Sequence, residues 1–316
     1  MADINRLGLG CMGMNMSNKE RSIETIHYAL DNGITLFNTG EFYGGGESEM
    51  VLREAFKDVP KDKYFLSVKF GVLPQPSGGI YGLDVKPWNV KAHLAYSLHR
   101  LGLDYIDLYQ PARMDEDVPI EELIGALQEC VDAGYVRNIG LTELSAENLK
   151  RAAKVQDIHT VELAYSIANR KIEENGVLDV ARENNMNILA FGVLQHGLLT
   201  DTTSEAVPSG RPGGPGLPTE VKSAILEGIK SIAADKETTV ENLLQAYVYE
   251  KNLDMSVLIG TTRKEHLKES IDALSVSLTS EDISRIESVF PAEKLQGMAM
   301  RNISFKDGKM VGGFFR

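Results

Sequence analysis

The strongest constraint on this chain is a rhythm. Short apolar runs alternate with amphipathic segments from one end almost to the other. The runs are residues 7–10 (LGLG), 35–38 (TLFN), 65–69 (FLSVK), 104–109 (DYIDLY), 136–141 (VRNIGL), 160–165 (TVELAY), 187–194 (NILAFGVL) and 255–260 (MSVLIG). Runs this short, rich in branched residues, read as buried strands. Helical patterns occupy 18–31, 47–56, 89–102, 120–134, 145–155, 174–185 and 264–274. Asn18 and Ser145 stand where N-caps belong, and Gly33 where a left-handed C′ residue is favoured. Ile23, Ile26, His27 and Leu30 share one face of the first helix. Strands that alternate with helices pair in parallel, because each parallel connection needs a crossover. Eight such units close an α/β (β/α)₈ barrel, the TIM barrel. An open doubly wound sheet is the alternative fold.

Two segments interrupt the rhythm. Residues 201–218 hold four of the eleven prolines and four glycines, and form a long irregular loop after the seventh strand. Helix-like runs follow at 219–234 and 239–251, before the eighth strand. Long loops at the C-terminal face of the strands serve as lids or ligand clamps. The tail, 291–316, either covers the barrel mouth or runs along the surface. The expectation is one domain over all 316 residues, since barrels of this type run to about 250 residues or more.

Charge and cysteines narrow the function. With 33 basic and 45 acidic residues the formal net charge is −12. Such a chain is a poor general binder of nucleic acid or anionic membrane. A phosphate ligand needs only a local cluster of basic residues, because charges beyond a Debye length are screened. Cys11 and Cys130 lie far apart and make neither a disulfide framework nor a zinc motif. No run approaches a membrane span and the N-terminus lacks a signal-peptide core, which together predict a cytoplasmic protein. No His, Cys and Asp grouping has metal-ligand spacing, so no metal is expected. Whether the chain is a monomer or a homo-oligomer is left open.

Gly8, Gly10 and Gly13 spell a dinucleotide-binding fingerprint. The context argues against it: the preceding strand is short, no helix follows at once, and the next strand ends in Asn38 rather than an acid.

Catalytic groups of a (β/α)₈ barrel lie at the C-terminal ends of its strands. That rule selects Asn38, Glu41 and Tyr43 after strand two, and Lys69 at the end of strand three. It selects Ala112, Arg113 and Asp115 after strand four, and Thr142 and Glu143 after strand five. Glu162 and Tyr165 follow from strand six, and Phe191 from strand seven. Tyr43 with Lys69 is the chemically useful pair. A free phenol is a weak acid at neutral pH, and a neighbouring ammonium stabilises phenolate. Tyrosine beside lysine is therefore a general acid suited to carbonyl reduction. The plain alternative is that Tyr43 packs and Lys69 pairs with a carboxylate. Trp88 either lines the substrate pocket or is a surface aromatic. His196 either touches a ligand from the strand-seven loop or is an ordinary loop residue.

The segment LFNTGEFYGGGESEMVL resembles the signature of the aldo-keto reductase family, written there as aspartate-threonine-alanine and then tyrosine-glycine. SVKFG, DLYQPARMDEDVPIEELIGAL, YVRNIGLTELSAENL, AFGVLQHGLLT and VLIGTTRKEHLKESIDAL resemble later family segments in the same order, from about residue 4 to 290. The resemblance implies an oxidoreductase in which Tyr43 donates the proton and Lys69 assists it. It places Phe191 against a nicotinamide and Thr142, Glu143 and Glu162 around its carboxamide. Leu194, Gly197 and Leu198 fall at the pyrophosphate, and Gly260, Thr262, Arg263, Lys264 and Glu269 at the adenosine end. Arg263 beside Lys264 offers charge for a 2′-phosphate, which implies NADPH (NADP+).

The departures are informative. The family's aspartate is Asn38 and its histidine Ala112; its asparagine and glutamine at the carboxamide are Glu143 and Glu162. These departures resemble the pyridoxal reductase branch of fungal type, which implies reduction of pyridoxal to pyridoxine in vitamin B6 metabolism. Other expectations are a general aldehyde or ketone reductase, or a cofactor-binding regulatory subunit like the family's potassium-channel β-subunits. With Asn38 uncharged, Glu41 is expected to lend a charge to Lys69. Ala112 in place of histidine is expected to open space for substrate, with Arg113 and Trp88 near it.

Overall fold

The computed structural model describes residues 5–76, 79–194, 219–290 and 304–312. Its strands are β1 (Leu7–Gly10), β2 (Leu36–Gly40), β3 (Phe65–Phe70), β4 (Val72–Pro74), β5 (Ile80–Leu83), β6 (Ile106–Pro111), β7 (Val136–Thr142), β8 (Thr160–Ala164), β9 (Asn187–Phe191), β10 (Met255–Gly260), β11 (Ser304–Lys306) and β12 (Lys309–Gly312). Its helices are α1 (Lys19–Asp31), α2 (Glu47–Ala55), α3 (Pro87–Leu101), α4 (Ile120–Asp132), α5 (Ala146–Val155), α6 (Val177–Glu183), α7 (Thr219–Asp235), α8 (Val240–Lys251), α9 (Lys264–Asp272) and α10 (Ser280–Val289).

Eight strands close into a barrel in the order β1-β10-β9-β8-β7-β6-β3-β2. Their pairings are parallel. This is the (β/α)₈ architecture, and closure rules out the open sheet. The eight apolar runs of the sequence are these strands, shifted at their ends by a few residues.

Local rules explain some helix ends, although Asn18, at the N-cap position of α1, makes no side-chain cap hydrogen bond. Ser145 Oγ accepts from the Asn148 N–H at 3.2 Å and caps α5. Gly33 adopts φ +77 after α1. On α4, Ile120, Leu123, Ile124 and Leu127 are buried at helical spacing. Each such side chain contributes about 1.5–3 kcal/mol by leaving water. The buried stripe of α1 is turned slightly from the expected one: Ser22, Thr25, Ile26 and Ala29 are buried, while Ile23 and Leu30 pack partly. Small residues let the helix lie close to the barrel.

Inside the barrel, Leu36, Phe65, Leu108, Leu189 and Leu258 form one apolar plug, with Phe191 packed on it. Gly8 completes that plug by having no side chain: a Cβ there would lie 2.7 Å from Leu36 Cδ2 and 2.8 Å from Leu258 Cδ2. The glycine pattern therefore serves barrel packing. One pleat further along, the inward positions turn polar, at Asn38, Ser67 and Gln110.

Two features were not expected from the sequence. β4 and β5 form a hairpin between β3 and α3. The described part of the tail forms a second hairpin, β11–β12, and the four strands make one sheet in the order β11-β12-β5-β4. Asp115 Oδ2 accepts the Gly308 N–H at 2.6 Å, and the Glu116 N–H donates to Phe305 O at 3.0 Å. Phe305 is buried. This part of the tail is thus built into the wall above β3 and β6. Loop 201–218 lies outside the described residues. No described helix is long and apolar enough to cross a membrane.

Candidate active site

The polar layer above the plug converges on one cation. Lys69 stands on β3 with its side chain directed into the barrel, 5% exposed as a residue. Its Nζ donates to Glu162 Oε1 at 2.9 Å and to Asn38 Oδ1. Glu162 comes from β8, across the barrel, and is 2% exposed. Its second oxygen accepts from Asn38 Nδ2 at 2.8 Å and from Gln110 Nε2. Ser67 Oγ accepts from the same two amides, at 3.1 Å each. One cation, one anion, two amides and a hydroxyl thus form one buried network, in which Gln110 Oε1 alone has no hydrogen-bond partner among the described residues.

Tyr43 reaches this network from the first turn after β2, in the short 3₁₀ segment Tyr43–Gly46. Its half-buried ring has its centroid 5.5 Å from Lys69 Nζ. Burial pulls the lysine's pKa down, but the charge of Glu162 and the nearby phenol outweigh it and raise the pKa. The lysine remains an ammonium at any ordinary pH. The two alternatives drawn from the sequence are therefore not exclusive. Lys69 does pair with a carboxylate, and Tyr43 is still beside it.

That carboxylate is not the expected one. Glu41 Oε1 accepts the Gly71 N–H at 2.7 Å and lies 2.8 Å from His93 Nδ1 on α3. Its charge ties the loop after β2 to α3. Glu162, expected beside a carboxamide, has both oxygens engaged by Lys69, Asn38 and Gln110. Gln110 and Ser67 were missed by inspection of strand ends. Their signal was a polar residue at an inward position of a buried strand, in IDLYQP and FLSVKF.

The remaining candidates spread around the mouth. Ala112 is 2% exposed, and Arg113 Nη1 folds back onto its carbonyl at 2.6 Å. Arg113 Nε is buried with no hydrogen-bond partner among the described residues. Glu143, at φ +49, follows the last residue of β7. Burial raises its pKa, and Arg113 and the Ala164 N–H offset this in part. Thr142 is fully buried and its Oγ1 is also unpartnered. Trp88 is 73% exposed at the start of α3, with Lys86 Nζ 5.7 Å from its ring, away from the buried network.

The expected cofactor residues divide. Phe191 and Leu194 are half-buried at and after the end of β9. Gly197, Leu198 and His196 lie outside the described residues. Gly260 ends β10 beside Gly10 of β1, and Thr262 follows it and faces the loop after β1, where a Cβ at Gly13 would meet Thr262 Cγ2 at 3.4 Å. Arg263 is exposed, with no ion-pair partner among the described residues, whereas Lys264 pairs with Glu24 of α1. The pair of basic residues therefore offers one uncommitted charge. Glu269 is exposed on α9. An unpartnered buried hydroxyl, an aromatic strand end, a side-chain-free approach at Gly260 and one unpaired arginine fit a nicotinamide dinucleotide phosphate. A separate concavity of about 500 Å³, lined by Arg137, Asn138, His159 and Asn187 among others, lies at the opposite end of the barrel. Catalytic loops of this fold do not reach that end.

Residues 6–290 match the Aldo/keto reductase family. The chain belongs to the aldo/keto reductase family. This aldo-keto reductase is 34% identical over 294 residues to the aldo-keto reductase yakc [NADP(+)] of Schizosaccharomyces pombe, covering 89% of this chain and 86% of that one. It is 31% identical to the probable aldo-keto reductase 1 of Glycine max, over 93% of this chain and 88% of that one. Among solved structures it resembles a glycerol dehydrogenase from Gluconobacter oxydans, with a TM-score of 0.82 at 25% identity, covering 92% and 93% of the two chains.

Proposed function

We propose that this aldo-keto reductase reduces an aldehyde to an alcohol with NADPH, and that pyridoxal is its substrate. The observation that carries the reductase reading is the buried Lys69–Glu162 pair beneath Tyr43. A half-buried phenol beside a permanently charged ammonium can give its proton to an alkoxide as that alkoxide forms. The bound nicotinamide supplies the hydride. Tyr43 supplies the proton at the carbonyl oxygen, and Lys69 stabilises the phenolate left behind. Phe191 offers an aromatic face to the nicotinamide, and Thr142 Oγ1 a hydroxyl to its carboxamide. Arg263 offers its guanidinium to the 2′-phosphate, in keeping with the NADP(+) in the name of the yeast relative.

The pyridoxal reading rests on the shared departures at Asn38, Ala112, Glu143 and Glu162. One feature of the site supports it. Arg113 holds a buried Nε–H near Glu143 that has no hydrogen-bond partner among the described residues, and pyridoxal carries a phenolic oxygen next to its aldehyde. A guanidinium there can take that oxygen and so orient the carbonyl.

The test is NADPH oxidation with pyridoxal, pyridoxal 5′-phosphate and benzaldehyde, compared by kcat/KM. Preference for pyridoxal supports the full reading. Turnover of benzaldehyde alone leaves the reductase and removes pyridoxal. Binding of NADPH without turnover of any carbonyl replaces both with a cofactor-binding subunit. Tyr43→Phe should lower kcat by about 10²–10⁴-fold, the usual span for a general acid, with NADPH affinity unchanged. Full turnover in that variant would show that another group gives the proton.

A further inference from the structure

We propose that the counter-charge of the catalytic lysine has moved across the barrel, so that Glu162 on β8 is the positioning residue for Lys69 and Asn38 on β2 orients Glu162. The inference rests on the reading of Tyr43 and Lys69 as the proton-transfer pair.

The geometry makes positions 38 and 162 interdependent. Asn38 uses both ends of its amide: Oδ1 accepts from Lys69, and Nδ2 donates to Glu162 Oε2 at 2.8 Å. An ionised aspartate at 38 has no donor. It would set a second carboxylate against Glu162 in a buried layer, where two like charges this close do not both stay ionised. An asparagine at 38 therefore suits a glutamate at 162. Gln110 Nε2 donates to the same oxygen, and Ser67 Oγ accepts from both amides. Among the described residues no other carboxylate bonds to Lys69; Glu143, after β7, is near enough to feel the charge of Glu162 but accepts from the Ala164 N–H, and burial raises its pKa. Cys11 faces the lysine from β1's end, but burial pushes its thiol up to about 12, so it is neutral. The layer thus balances with one ammonium and one carboxylate, wherever that carboxylate stands.

The consequence is a reciprocal exchange. In Glu162→Gln the lysine is buried without a counter-ion, so it sheds its proton more easily. The general acid then works only below that titration. The alkaline limb of kcat should move to lower pH, and kcat near neutrality should fall about 100-fold or more. Asn38→Asp places two carboxylates on one lysine and should also lose activity. The double variant Asn38→Asp with Glu162→Gln restores the balance. It should return kcat to within about tenfold of the original chain and move the alkaline limb back.

The experiment measures kcat against pH, NADPH affinity by fluorescence and Tm for the four full-length proteins. Recovery of kcat and of the limb in the double variant is the expected result. A folded double variant as weak as Glu162→Gln would overturn the proposal, because the carboxylate would then matter at 162 for another reason. A double variant that does not fold would overturn it too, even if Glu162→Gln alone also fails to fold. If the unaltered chain turns over no carbonyl, the reductase reading fails by itself. The Tm values then still decide the charge balance: recovery in the double variant supports it, and no recovery refutes it.

Discussion

At the scale of single residues, the site is defined as much by unmet groups as by paired ones. Thr142 Oγ1 is fully buried and has no hydrogen-bond partner among the described residues. An unmet hydroxyl costs stability, and its removal should be free in the empty protein. Thr142→Val is therefore expected to leave the Tm unchanged or slightly raised, and to weaken NADPH binding about fivefold to tenfold, the worth of one neutral hydrogen bond. A fluorescence titration beside a melting curve checks both. A variant that melts lower and binds as before would place the hydroxyl's role in the fold. The same reasoning separates Lys264 from Arg263. They are neighbours in sequence, but one is engaged by Glu24 and the other has no ion-pair partner among the described residues.

At the scale of elements, the site is held by ties between loops that follow different strands. The His93–Glu41 contact joins α3 to the loop carrying Tyr43. Burial lowers the histidine's pKa, but the hydrogen bond and charge of Glu41, with Asp84, outweigh it and raise the pKa above the usual value. A group whose pKa is raised by folding stabilises the fold below its unfolded value, about 6.5, and loses that contribution as pH rises through the folded value. His93→Gln should therefore depress Tm more at pH 5.5 than at pH 9. An equal depression at both would mean that the ring acts by packing alone. The tail hairpin is a second tie. Asp115 accepts the Gly308 N–H, so the loop following β6, which carries Arg113, is braced by residues almost two hundred positions away. Gln110 and Ser67 belong here as well: their alternation with Leu108 and Phe65 was visible in the strands, but an interior face has no label in sequence until the barrel closes.

At the scale of the whole molecule, a ligand that binds only the folded state raises its stability by mass action. NADPH at about 100 times its Kd should add about 2.7 kcal/mol, an upward shift of about 4 °C for a chain of 316 residues. NADH at the same concentration should give a smaller shift if Arg263 reads the 2′-phosphate. Equal shifts would remove that role.

The sequence alone determined the architecture, because eight apolar runs separated by helical crossovers leave few ways to bury a parallel sheet. It determined the place of Tyr43 and Lys69, because strand ends converge in a closed barrel. It also exposed the missing charge at Asn38. Only the tertiary structure decided where that charge went. Glu41 lies three residues from Asn38 yet turns to His93, while Glu162, on the far wall, meets the lysine. Separation along the chain says little about distance across a barrel. The pleat aims each inward side chain at the axis, and there residues from β2, β3, β6 and β8 become neighbours.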